Sequence, residues 1–284
     1  MRMTFLKIAA GFGLAYLIAV LLIAVFQDRL LFPRWAMRGG AVPLPAAAER
    51  VSIDVPEVGP LVGVFLPAED DPPPAAALLV GFGGNAWDAD LLAVYLHSVF
   101  PDRDVLTVNY RGYGPSAGRP SADAILKDAE RIYDEVVDAR GVERVVTIGL
   151  SLGSAPAAHL ASRRPVEGVI LVTPFDSLRK LAADIYPWIP VRLLLRHRMD
   201  VARDVARSSA MVAIIAAEHD EIVPRRRTDA LADSAENLVL DRVVGSVGHN
   251  DIYDSEEFVA TMREALSMIE ECCRTNANPS PQGQ

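Results

Sequence analysis

Five strand-length runs rich in apolar and β-branched residues punctuate the chain at 76–80, 104–110, 144–148, 168–172 and 211–216, with longer stretches between them. Leu238–Val244 closes the series. A strand without polar alternation has no solvent face, so such runs demand a mostly parallel sheet covered by helices on both sides. Helical periodicity marks three other stretches, the first carried by Leu91, Leu92, Tyr95, Leu96, Val99 and Phe100. Ile125, Ala129, Ile132, Tyr133 and Val136 recur at three and four residues within Ala122–Ala139, and Phe258, Met262, Leu266 and Ile269 do so near the carboxyl end. Upstream, Val51–Val55 and Leu61–Phe65 are broken by Pro56, Gly59 and Pro60 and read as an antiparallel hairpin. With 284 residues, 51% of them hydrophobic, the chain can bury one large core. The expectation is a single α/β domain over 49–274. Tyr186–Arg207, with Tyr-Pro-Trp-Ile-Pro and an Arg- and Leu-rich piece, breaks the alternation and reads as a small lid insertion. The polar residues 275–284 are expected to form a disordered tail.

Before that domain lies a different kind of segment. Ile8 to Phe26 are nineteen residues without a charge, enough at ~1.5 Å per residue to cross a hydrocarbon core of ~30 Å. The run exceeds the ~7–15 residues of a signal-peptide core, and Ala24-Val25-Phe26 is not a small-x-small cleavage site. Residues 5–27 are therefore expected to be a transmembrane anchor and 28–48 a membrane-proximal linker. Arg2 and Lys7 flank one side and Arg29, Arg34 and Arg38 the other, so the side of the membrane on which the domain sits stays open.

Charge and cysteine usage exclude some functions. The net charge is −9, and the one basic run, Arg225-Arg226-Arg227, reads as a solvated helix start. Nucleic acid is not an expected partner. Cys272 and Cys273 are adjacent and suit neither a mutual bridge nor a zinc site. No metal or cofactor is expected.

The candidate chemistry lies at the ends of the apolar strands. Arg144–Ile148 runs into Gly149-Leu150-Ser151-Leu152-Gly153, and a helical Ser154–Ser162 follows. A serine at a tight strand-to-helix turn projects its hydroxyl, and small neighbours are required because side chains at 149 or 153 would collide with the turn. A serine hydroxyl needs a base, and the base needs an orienting acid. In a doubly wound sheet both come from loops after later strands. Asp220 follows the strand Met211–Ala216, with Glu218 and Glu221 as competing acids, and His249 follows Leu238–Val244 on a glycine-flanked loop. His97 and His159 fall in helices, His197 in the lid and His219 beside the acid. An oxyanion needs two backbone donors. The candidates are the amide of Leu152, directly after the nucleophile, and that of Phe82 in Gly81-Phe82-Gly83-Gly84-Asn85.

The order Ser151, Asp220, His249 is that of the α/β-hydrolases, and the resemblance extends over nearly the whole chain. Leu30-Leu31-Phe32-Pro33, Val80-Gly81-Phe82-Gly83-Gly84-Asn85, Asn109-Tyr110-Arg111-Gly112-Tyr113-Gly114-Pro115-Ser116, Thr173-Pro174-Phe175-Asp176-Ser177, Asp220-Glu221-Ile222-Val223-Pro224 and Gly248-His249-Asn250 follow in sequence. Together they resemble the membrane-anchored α/β-hydrolase-domain group, which includes depalmitoylases, lysophospholipid and acylglycerol lipases and relatives of serine-peptidase type. The resemblance implies an α/β-hydrolase fold with a small lid behind an N-terminal transmembrane helix. It implies a Ser-His-Asp hydrolase of acyl esters or thioesters, with a small-molecule or lipid-like acyl substrate. A serine peptidase and a non-catalytic scaffold are the alternative readings. Val80 and Phe82 stand where the group has histidine and asparagine, so polar support behind the oxyanion loop is expected to be lost.

Overall fold

A computed structural model describes residues 2–37, 42–69, 73, 76–85 and 87–277. Its strands are β1 (Glu49–Val55), β2 (Gly59–Leu66), β3 (Leu78–Phe82), β4 (Val105–Val108), β5 (Val145–Leu150), β6 (Gly168–Val172), β7 (Met211–Ala217) and β8 (Leu238–Val244). They form one sheet in the order β1-β2-β4-β3-β5-β6-β7-β8. β1–β2 and β2–β4 are antiparallel and the other pairs parallel, so β2 alone runs against the rest.

Every residue of β3, β4, β5 and β6 is buried, which is why these runs lack polar alternation. Successive side chains feed opposite layers. Val169 and Leu171 join the core under α3 (Ala122–Ile132), α4 (Ser154–Ala161) and α7 (Val201–Val205). Ile170 and Val172 meet Phe258, Met262 and Ile269 of α9 (Glu256–Ala277) and, with them, Leu92 and Leu96 of α2 (Ala89–Val99). Each fully buried aliphatic side chain is worth roughly 1.5–3 kcal/mol. Gly168 lets α9 dock directly on β6, since a Cβ there would lie 2.3 Å from Ile269.

Several boundaries differ from expectation, β3 among them, which runs over 78–82 and not 76–80. The helix from Ala122 keeps α geometry only to Ile132; a π turn over Tyr133–Val137 and a 3₁₀ turn over Asp138–Arg140 follow. The wider turn keeps Tyr133, Val136 and Val137 all buried. The segment expected as a lid divides. Residues 186–198, with α6 (Val191–Leu194), lie outside the sheet layers as a cap, whereas Met199, Val201 and Val205 are core residues and α7 packs with α4. At the carboxyl end α9 runs to Ala277, so 275–277 are helical; the rest of the expected tail, 278–284, is outside the described residues. Residues 38–41 of the expected linker are outside them too.

The amino-terminal helix α1 (Arg2–Leu31) is longer than the expected anchor and has a mean hydropathy of 2.6 over its most apolar stretch. It is long and apolar enough to cross a membrane. The basic triplet does more than start α8 (Arg225–Ala232): Arg227 and Arg226 both pair with Asp184 on α5 (Leu178–Ile185), at 2.5 and 2.9 Å.

His159 lies in α4, all eight residues of which are buried. Its Nδ1 is 3.2 Å from Asp204 of α7 and its Nε2 is 3.1 Å from Glu130 of α3. Both partners are acceptors, so the ring satisfies both only as imidazolium. Burial opposes that charge, but the two carboxylates outweigh it and the pKa is raised. The ring thus holds its proton more tightly folded than unfolded. Its contribution to stability is full below the ordinary value of 6.5 and fades as pH climbs through the raised folded value. The melting-temperature gap between wild type and His159→Gln should therefore be wider at about pH 5.5 than at about pH 9; equal gaps would contradict this account.

Candidate active site

The turn that carries Ser151 is set by crowding. β5 ends at Leu150, a 3₁₀ turn spans Ser151–Gly153, and α4 begins at Ser154. A Cβ at Gly153 would lie 2.0 Å from the Phe82 carbonyl oxygen, and one at Gly149 would lie 2.5 Å from that of Gly153. Only glycine allows the two backbones so close. Between them Ser151 is held at φ +50°, in the left-handed region. Side chains there cost of order 1–3 kcal/mol, a strain that clusters at functional sites.

The three residues singled out from sequence come together. His249 Nε2 lies 2.9 Å from Ser151 Oγ, and His249 Nδ1 lies 2.9 Å from both carboxylate oxygens of Asp220. Asp220 Oδ1 also accepts from the amides of Ile222 (2.9 Å) and Val223 (2.6 Å), which fixes the carboxylate as it receives the ring. Both partner side chains are buried, at 6% and 8% exposure. The line therefore has an acid end, a ring that relays and a hydroxyl at the open end.

The competing acids have another task that sequence reasoning missed. Glu221 accepts from the His249 amide (3.0 Å), and Glu218 from the Ser246 amide (2.7 Å). Asp251 accepts from the Gly248 amide at 2.5 Å. Three carboxylates thus clamp the backbone that presents His249, with Ser246 at φ +58°. The hydrogen bond from the His249 amide lowers the Glu221 pKa, so that carboxylate stays ionised. Carboxylates flanking Asp220 were the available signal. The other histidines are engaged elsewhere: His97 with Glu69, His159 as above, His197 with Asp28 and His219 with Glu218.

A cavity of about 270 Å³ opens beside Ser151. Leu152 lines it, as does the loop after β3, though through Gly84 and Asn85. Phe82 is not among the lining residues and its side chain is buried in the core. The expected loss of polar support also needs correcting. Tyr110 donates its hydroxyl to the Gly83 carbonyl (2.7 Å) and Tyr113 to Asn85 Oδ1 (2.7 Å), while the Asn85 amide donates to the Leu31 carbonyl (2.6 Å). Tyr110 and Tyr113 thus give the loop polar support from the segment after β4. The remaining walls are largely apolar, with Leu31, Phe32, Trp87, Phe175, Leu178, Leu181 and Ile222, and Asn250 adds a polar side chain. Tyr253 completes them, and burial pushes its hydroxyl up to about 12, so it stays neutral. Among the described residues no acidic side chain lines the cavity. Among the described residues no group of three or more His, Cys, Asp or Glu is placed to hold a metal ion.

A family model described as alpha/beta hydrolase fold matches residues 78–198. The chain belongs to the α/β-hydrolase superfamily. Over 192 residues it is 37% identical to the uncharacterized protein Rv2307c of Mycobacterium tuberculosis, covering 65% of this chain and 67% of that one. It is 25% identical over 175 residues to alpha/beta hydrolase domain-containing protein 17C of Xenopus tropicalis, covering 58% of this chain and 52% of the relative. The crystal structure of a membrane phospholipase A shares the fold, with a TM-score of 0.61 at 15% identity, covering 95% of this chain and 99% of that one. The family thus comes from the sequence match, and the solved structure shows the same fold.

The left-handed Ser151 gives a measurable consequence. Ser151→Gly and Ser151→Ala both lose the hydroxyl, but only glycine relieves the strain. Ser151→Gly should be the more stable of the two by about 1 kcal/mol in chemical denaturation. An alanine variant as stable as the glycine one would argue against a strained turn.

Proposed function

We propose that the protein is a membrane-anchored serine hydrolase that cleaves acyl esters or thioesters. The observation that carries this reading is the unbroken line Ser151–His249–Asp220 at the edge of an apolar cavity. His249 Nε2 takes the proton as Ser151 Oγ attacks the acyl carbonyl. Asp220 holds Nδ1–H and stabilises the imidazolium that forms. The amide of Leu152 supports the oxyanion from one side. On the other, the donor comes from the turn that begins at Phe82, where Gly84 faces the cavity. Return of the proton to the leaving group yields an acyl-enzyme, and His249 then activates water to release the acid.

Two observations favour an acyl substrate beside a bilayer. The cavity walls are aliphatic and aromatic, with no carboxylate to meet the free amine of a peptide, which weighs against the peptidase reading. The apolar helix α1 is also bonded to the domain it precedes: Gln27 receives the Arg196 amide (2.9 Å), and Asp28 receives Arg196 (3.1 Å) and His197 (2.8 Å). A segment removed as a signal peptide has no use for such contacts, which favours a retained anchor.

Full-length protein in detergent should react with a fluorophosphonate probe, and Ser151→Ala and His249→Ala should not. Asp220→Asn should keep the fold and lower kcat on a short-chain ester by about 10⁴, through the wrong imidazole tautomer. Folded wild type that stays unlabelled would overturn the hydrolase reading and favour a scaffold.

A further inference from the structure

A second cavity, of about 330 Å³, lies between α1 and the segment 182–195. Ile23, Leu30 and Leu31 wall it on one side and Ala182, Ile189 and Leu194 on the other. Its size is at the low end of small-molecule pockets, ~300–1,000 Å³. Gln27 reaches it as well but offers little to a ligand. Its amide nitrogen donates to the carbonyls of Ala24 (2.6 Å) and Leu194 (3.3 Å), and its oxygen receives the Arg196 amide. The cavity therefore suits a group that makes no hydrogen bonds.

Two features connect it to the catalytic cavity. Leu31 is part of the wall of both, and Leu181, in the catalytic cavity, precedes Ala182, in the second, on α5. Two others connect it to lipid. One wall is the apolar helix itself, and around the segment Tyr186, Trp188 and Leu193 are exposed, the last two by 53% and 86%. The Tyr16 hydroxyl donates to the Trp188 carbonyl at 2.7 Å. Tyr16 precedes Gln27 by eleven residues, about 16 Å along a helix that rises ~1.5 Å per residue. If α1 spans a hydrocarbon core ~30 Å thick, Trp188 reaches about half its depth. The aromatic and aliphatic side chains of the cap then face acyl chains, not water.

From this juxtaposition we infer that the cavity between α1 and the cap is the acyl-chain site of the enzyme, filled sideways from the bilayer leaflet. The inference rests on the hydrolase reading above and adds where the chain of the substrate goes. An acyl group would lie along Leu31 with its carbonyl at Ser151 and its tail between α1 and the cap. The anchor would then be one wall of the substrate site as well as a tether.

The test compares p-nitrophenyl butyrate with p-nitrophenyl palmitate, using full-length protein in detergent and the variants Ala182→Phe and Leu194→Trp. Each variant adds bulk to the second cavity without touching Ser151, His249 or Asp220. Fluorophosphonate labelling at the wild-type rate identifies variants that keep a folded site. The palmitate-to-butyrate ratio of kcat/KM should fall by about tenfold, the effect of leaving some two methylene groups unburied, while butyrate turnover is retained. A ratio within about twofold of wild type in a variant that labels normally would overturn the inference and leave the hydrolase reading intact. So would a wild type that cleaves butyrate but not palmitate. A folded wild type that neither labels nor cleaves butyrate would remove the hydrolase reading itself.

Discussion

The contact between the Ser151 turn and the end of β3 is the constraint on which the rest of the site depends. Gly153 lies so close to the Phe82 carbonyl that a single methyl group there would overlap it. That approach fixes where α4 starts and where the β5 chain must reverse. It also leaves Ser151 no choice but the left-handed region. The strain is sustained because α4 is buried along its whole length and tied by His159 to two neighbouring helices. In the proposed reaction, a serine held this way needs no reorganisation of its own backbone before attack.

Around this fixed point the partners are positioned by electrostatics as well as by packing. A buried carboxylate must be compensated. Asp220 is compensated three times, by His249 and by the amides of Ile222 and Val223. Glu218, Glu221 and Asp251 neutralise loose amides of the loop that carries His249. The acids around the site divide into one that faces the ring and three that hold its backbone. A loop with few buried apolar contacts is thereby made stiff enough to keep a 2.9 Å hydrogen bond to Ser151.

The apolar helix at the amino terminus is integrated with the domain in a way that a simple tether would not need. Its last turn gives a carbonyl to Asn85 in the loop beside Ser151, and Leu31 and Phe32 enter the catalytic cavity. Gln27 and Asp28 join it to the cap through a backbone amide and two basic side chains. Tyr113 grips the same Asn85 from the other side. The oxyanion loop is thus braced between the helix and the segment after β4.

The sequence by itself determined the sheet and the tight turn around Ser151, and it put forward Asp220 and His249 as partners. A strand buried on both faces writes itself as an unbroken apolar run, and a turn too tight for Cβ atoms writes itself as glycine around serine. Both are local rules, so β6 and β8 match their expected limits and Ser151 was legible from its own pentapeptide. The tertiary structure alone decided which partner does what. Spacing cannot distinguish Glu218, Asp220 and Glu221, which share one short loop; their roles follow from how β8 delivers His249 alongside. It cannot reveal that the loop after β3 lines the cavity through Gly84 and Asn85, that Tyr110 and Tyr113 hold that loop, or that 199–205 belongs to the core rather than to a lid. Nor does it join Tyr16 to Trp188, which lie 172 residues apart. Those pairings form between side chains far apart along the chain, and they exist only once the sheet has set the distance between them.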